Sequence, residues 1–195
     1  MFLLNAGNSQ LQAQHEFRLE GSKKFYTPDY LKLQVAGQIG YLSIGVGRSF
    51  FNGKLESDLS FGFVPKIIGC ENISILTFKQ SLKPFEIYTQ INGIKLYPIT
   101  TGIYLSHHFG DRYNKYNKDN YPSDYYWFMN GLRIGAYIGS DINICHINNS
   151  AIKSISIYYE LGITDLGIYR LSKNYNQFNL LDIMNIAFGI KTYLN

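Results

Sequence analysis

The chain has 195 residues, of which 16% are charged, 16% aromatic and 46% hydrophobic, with 17 Tyr and 13 Phe beside a single Trp. Its net charge of +4 is spread without a basic stripe, which argues against nucleic acid as a partner. No run of about 18 apolar residues occurs, which excludes a transmembrane helix, yet charge falls below the roughly 25% of ordinary soluble domains.

In chain order, Leu11-Gln12-Ala13 before Gln14 has the small-residue ending of a secretory cleavage site. Residues 1–13 are therefore expected to be the remnant of a signal peptide. Residues 14–37 lack sustained periodicity apart from Leu31, Leu33 and Val35, and are read as an N-terminal segment adding a short strand or plug. The barrel proper is expected over 38–195.

Alternation with a period of two then predicts eight strands. The first carries Leu42, Ile44 and Val46 on one face and ends at Asn52-Gly53, a pair that accepts the positive φ of a hairpin turn. The second runs from Lys54 to Val64 and stops at Pro65, which cannot donate to a ladder. A third, about Asn72 to Gln80, slips parity once, which suggests a bulge. The fourth, with Phe85, Ile87 and Ile91, meets the fifth, Ile94 to Phe109, at Asn92-Gly93. A polar loop over 110–125 precedes the long sixth strand, Leu132 to Ile144, which turns at Asn148-Asn149. The seventh spans Ser154 to Thr164, with an extension toward Leu171, and a polar loop over 172–179 leads to the last, Ile186 to Leu194.

One face of these strands is apolar; the other carries Gly, Ser, Tyr and scattered charges. A solvated sandwich face would be dense in Lys and Glu, whereas the lumen of an eight-stranded barrel has room only for its own side chains. The expected fold is all-β, an eight-stranded antiparallel transmembrane barrel of the outer-membrane type. With both termini in the periplasm, the tight turns at 92–93 and 148–149 fall inside and the 110–125 loop falls outside, as this class requires.

The polar face proposes its own chemistry. Glu56, Asp58, Arg133, Asp141, Glu160 and Lys191 are expected to form an ion-pair network in the lumen. Ser106 and His108 share one face of a strand, and with Glu160 they supply the hydroxyl, imidazole and carboxylate of an acyl-transfer site. Outer-membrane lipid A deacylases are small barrels with such a triad. Their motif has His before Ser on one strand, then Asn, with Glu on the next strand; here the order is reversed, the Asn is missing and the Glu is two strands away. A boundary role for the histidines, where a strand leaves lipid, is the stronger expectation. Tyr113, Tyr116 and Tyr121 stand among amides in the outer loop, a composition suited to glycan or protein contact, while Tyr125, Tyr126 and Trp127 suit an aromatic girdle. No metal is expected, since Asp111, Asp119 and Asp124 lack calcium-loop spacing and the His and Cys residues lack zinc spacing. Cys70 and Cys145, on strands that are not neighbours, are expected as free thiols, and no cofactor is called for.

Tyr-Pro-x-x-Tyr-Tyr (121–126), Tyr-Tyr-Glu-Leu-Gly-x-Thr-Asp-Leu (158–166) and the terminal Phe-Gly-Ile-Lys make the chain resemble small Tyr- and Asn-rich outer-membrane barrels of Gram-negative bacteria over roughly 38–195. The resemblance implies fold and location, and carries over no catalytic residue. The expectation is a non-enzymatic outer-membrane protein, surrounded by lipid, that meets another envelope protein or a glycan through loop 110–125. A lipid A acyl-ester hydrolase and a narrow pore or small-ligand carrier stand as the two alternatives.

Overall fold

The computed structural model describes residues 27–69, 71–89, 93–110, 113, 131–144, 151–173 and 179–195. Among these residues nine strands form: β1 (Tyr30–Ala36), β2 (Leu42–Phe50), β3 (Leu55–Val64), β4 (Ile73–Leu82), β5 (Ile87–Tyr88), β6 (Ile94–Phe109), β7 (Leu132–Ile144), β8 (Ile152–Thr164) and β9 (Asn185–Leu194). All pairings are antiparallel, and β4 pairs with β6 to close the sheet. The result is a closed eight-stranded barrel, with β5 a two-residue flange on β6.

The count of eight matches the expectation, but its members differ. Residues 30–36, assigned above to an N-terminal segment, form a barrel strand hydrogen-bonded to β2 on one side and β9 on the other. Of the predicted fourth strand, Ile87 and Tyr88 pair among the described residues, and Ile91 lies outside them. Three apolar residues alternate in β1 as they do in β2, but no Asn-Gly turn follows to mark the strand. Its place is set by two partners distant in sequence. The seventh strand ends at Thr164, and the chain continues as helix α1 (Asp165–Lys173) and a short α2 (Leu180–Ile183). Thr164 Oγ1 accepts the Gly167 N–H at 3.2 Å and so starts the helix. The parity slip in β4 is no bulge: its register with β3 is continuous, and Ile75 simply faces inward, 3% exposed.

The turns sort by end. At the end holding both strand termini lie the connections 51–54, 83–93 and 145–151; at the other lie 37–41, 65–72, 110–131 and 165–184. The β2–β3 turn is tight, with Phe51, Asn52 and Gly53 all at positive φ. The turn at 148–149 and most of loop 110–125 lie outside the described residues.

A circuit of register partners gives the barrel's stagger. It leaves β7 at Ile142, passes Ile157, Ile190, Leu33, Ile44, Phe61, Leu76 and His107, and returns to β7 at Leu132, ten residues displaced. Such shear tilts the strands about 35–45° and leaves an interior just wide enough to be filled by side chains. The circuit also follows an almost unbroken apolar path on the outer surface. More than twenty large apolar side chains on the strands are exposed by 39% or more, among them Ile44 (64%), Ile103 (63%) and Phe188 (62%). Most buried residues are polar, charged or tyrosine, the reverse of a water-soluble domain.

Inside, ring and glycine are matched across strands. Tyr30 opposes Gly47, Tyr137 opposes Gly102, Tyr104 opposes Gly135 and Tyr158 opposes Gly189. A Cβ at any of these glycines would overlap the facing ring. The absent side chain is the space each tyrosine lies in.

One irregularity interrupts the wall. Pro98, which has no N–H, lies in a register shift between Tyr97 and Thr100 on β6. Outward hydroxyls repair it: Ser140 Oγ donates to the Tyr97 carbonyl at 3.0 Å and Thr101 Oγ1 to the Tyr137 carbonyl at 3.0 Å. Ser140→Ala with Thr101→Val is expected to cost about 1–3 kcal/mol per orphaned carbonyl, read as a lower urea midpoint in detergent micelles. Each single variant should show roughly half the loss.

Candidate functional site: the filled lumen and its mouth

The inward positions carry four lysines and four carboxylates, all buried: Lys32, Lys79, Lys83 and Lys191 with Glu56, Asp58, Asp141 and Glu160. A lone buried charge costs several kcal/mol by order of magnitude, so such groups persist only in pairs with their hydrogen bonds met. Near the termini, Glu56 takes Lys83 at 2.7 Å and Lys191 at 2.6 Å, and accepts the Tyr193 hydroxyl. Asp141 meets Lys83 at 2.9 Å as an ion pair. At mid-height Lys32 binds Asp58 at 2.9 Å, and Ser60 Oγ donates to the same carboxylate at 2.9 Å. Farther up, Lys79 pairs with Glu160. Rings finish the coordination, with Lys79 4.2 Å from the Tyr137 centroid, Lys83 4.7 Å from Tyr97 and Lys191 4.9 Å from Tyr158.

Formal charge in this set sums to zero, and the side chains interlock. The cavity bordered by Lys79, Glu160, Tyr104 and Tyr137 measures about 20 Å³, the space of about one water. At the loop end Ile39 packs with Tyr104 and Tyr137 as a small apolar stopper. Its inward path needs two glycines: Gly40 sits at φ +125°, and a Cβ on Gly62 would overlap the Ile39 carbonyl.

Five of the six lumen charges named from sequence lie in this interior: Glu56, Asp58, Asp141, Glu160 and Lys191. Arg133 does not join them. It sits near the loop end opposite Ser106, donating to the Leu132 carbonyl at 2.7 Å. The carboxylates are met by lysines, and sequence reasoning missed three. Lys32 and Gln34 were legible as the inward partners of Leu31, Leu33 and Val35. Lys79 follows from the parity of Leu76 and Phe78. Lys83 lies one residue past its strand and carried no periodic signal.

The hydrolase candidates come together only in part. Ser106 is fully buried, with Oγ 3.4 Å from His108 Nε2. Glu160 is elsewhere. Ser106 opposes Arg133 on β7 and Glu160 opposes Gly139, six residues along that strand, a displacement of about 20 Å at ~3.3 Å per residue. Its carboxylate holds Lys79 instead. The His107 ring packs edge-on against Phe109 at 4.5 Å, and His108 lies 5.4 Å from Tyr113. Tyr116, Tyr121, Tyr125, Tyr126, Trp127, Cys70 and Cys145 lie outside the described residues. Among the described residues no three His, Cys, Asp or Glu side chains converge as a metal site.

No protein-family model, no curated protein and no solved structure matches this chain.

Proposed function

We propose that the barrel spans the outer membrane of a Gram-negative bacterium as a non-enzymatic structural or interaction protein, presenting its loop end to the outside. The observation that carries this is the inverted polarity. Shielding one large apolar side chain stabilises by roughly 1.5–3 kcal/mol; leaving more than twenty half-exposed in water would outweigh the 5–15 kcal/mol stability typical of a domain. In lipid the same surface is at no disadvantage, and a closed barrel leaves no backbone edge unsatisfied. Dimensions agree: the ten residues of β3, at ~3.3 Å each and tilted about 40–45°, climb roughly 24 Å, the height of an outer-membrane barrel's apolar band. Longer connections gathered at the end opposite the termini support the orientation. Neither described helix is long and apolar enough to cross a membrane.

A rigid, charge-balanced interior favours a scaffold over a channel, and leaves the loop end as the contact surface. The second reading is a hydrolase, favoured by the Ser106–His108 contact alone. The carboxylate the sequence offered for this role, Glu160, does not reach the imidazole, because it is held by Lys79.

The purified chain in detergent is expected to give a β-sheet circular dichroism spectrum and to migrate faster unboiled than boiled on a semi-native gel. A protein soluble without detergent that shows no shift would sink the membrane reading.

A further inference from the structure

A polar row crosses the apolar outer surface near the terminus end. Arg48 on β2, Ser57 on β3 and Gln80 on β4 are successive register partners on the outward face, and Ser57 Oγ donates to Gln80 Oε1 at 2.9 Å. Beside this row a surface cleft of about 290 Å³ has Val46, Leu59 and Phe78 in its wall, with Arg48, Phe50 and Thr27 around it. We propose that this cleft holds a glycerophospholipid of the leaflet at the terminus end, its phosphate on Arg48 and one acyl chain along Val46, Leu59 and Phe78. The site rests on the membrane reading above.

Charge, position and size each select that occupant. Arg48 lies two residues from Phe50 at the end of β2, where the apolar band gives way to the turn and headgroups would begin. Its guanidinium lies 5.9 Å from the Phe50 ring centroid, and the side chain is 29% exposed overall with Nε buried, so the stem covers apolar surface and the two terminal nitrogens are the part that can face the interface. A planar guanidinium takes two phosphate oxygens at once, which a lysine cannot. Asp29 Oδ2 stands 4.0 Å from Arg48 Nε and accepts the Ser49 N–H at 3.0 Å; it tempers the positive charge and anchors the arginine from the side of β1. The exposed Lys54, in the same hairpin, adds a second cation at that end. A volume at the lower edge of ligand clefts, about 300–1,000 Å³, fits one acyl chain rather than a whole lipid.

The test is native mass spectrometry of the full chain in detergent, titrated with dimyristoyl phosphatidylglycerol, with dimyristoylglycerol (the same chains without phosphate) and with inorganic phosphate as comparisons. One phosphatidylglycerol retained per barrel is expected, with dimyristoylglycerol held at least tenfold more weakly. Arg48→Gln should lower retention about tenfold, Arg48→Lys should fall between, and Val46→Trp, which fills the cleft, should lower it comparably. Each variant is first shown to keep its heat-dependent gel shift. Equal retention of dimyristoylglycerol, or undiminished retention by Arg48→Gln, overturns the site. Full displacement by inorganic phosphate overturns the lipid assignment in favour of a free anion. A barrel that shifts on the gel yet retains no lipid sinks this site alone; loss of the shift in the wild-type chain sinks the membrane reading beneath it.

Discussion

Glu56→Gln is expected to destabilise the folded barrel by about 3–5 kcal/mol, the range for removing one partner of a buried ion pair. Glu56 is 1% exposed, receives Lys83 and Lys191, and accepts the Tyr193 hydroxyl. Glutamine keeps the volume and one acceptor oxygen, so the loss isolates charge from packing. Two ammonium groups then face Asp141 alone, at 2.9 and 3.9 Å. The prediction separates further in a double-mutant cycle with Lys191→Met. If the network is one unit, the double variant loses clearly less than the sum of the two singles, by at least about 1 kcal/mol. Unfolding in urea with detergent micelles measures all three. Additive losses would mean that the two charges are stabilised independently, and the description of a single network would fail.

Gly135→Ala is expected to cost about 1–3 kcal/mol, the usual effect of overfilling a packed interior. The new Cβ would overlap the Tyr104 ring and press on the Ile163 carbonyl. The ring can turn aside only by leaving the space it occupies beside Tyr137 and Ile39. Tyr104→Ala in the same chain is expected to restore part of the loss, so the pair loses less than its two members summed. A Gly135→Ala barrel as stable as wild type would show that the ring–glycine pairing is incidental. Alanine at Gly53 is the informative contrast. Nothing lies within 4 Å of its Cβ position, but φ is +83°, so any cost there comes from backbone conformation alone.

Much of this fold is written in local alternation. β3, β7 and β9 each present one apolar and one polar face, and that pattern alone implies which residues point to the lumen, including Glu56, Asp58, Asp141 and Lys191. The Asn52-Gly53 turn is likewise legible, because few other residues accept its backbone. Period and turn chemistry are short-range properties, readable from a few neighbouring residues. They determine strand identity, facing and the all-β class.

Other features come from partners far apart in the chain. β1 is a barrel strand because β2 and β9 accept its backbone; its seven residues alternate but do not say which strands they join. The pairing of Lys79 with Glu160, 81 residues away, depends on the stagger of the closed sheet, which no local pattern encodes. That stagger also settles the fate of the hydrolase candidates. Ser106 and His108 meet because they share a strand, whereas Glu160 is carried to another level and neutralised by a lysine. On the regularly alternating strands, sequence determined which way the side chains face. Closure of the barrel decided which side chains meet, because shear fixes the height at which every strand passes its neighbours.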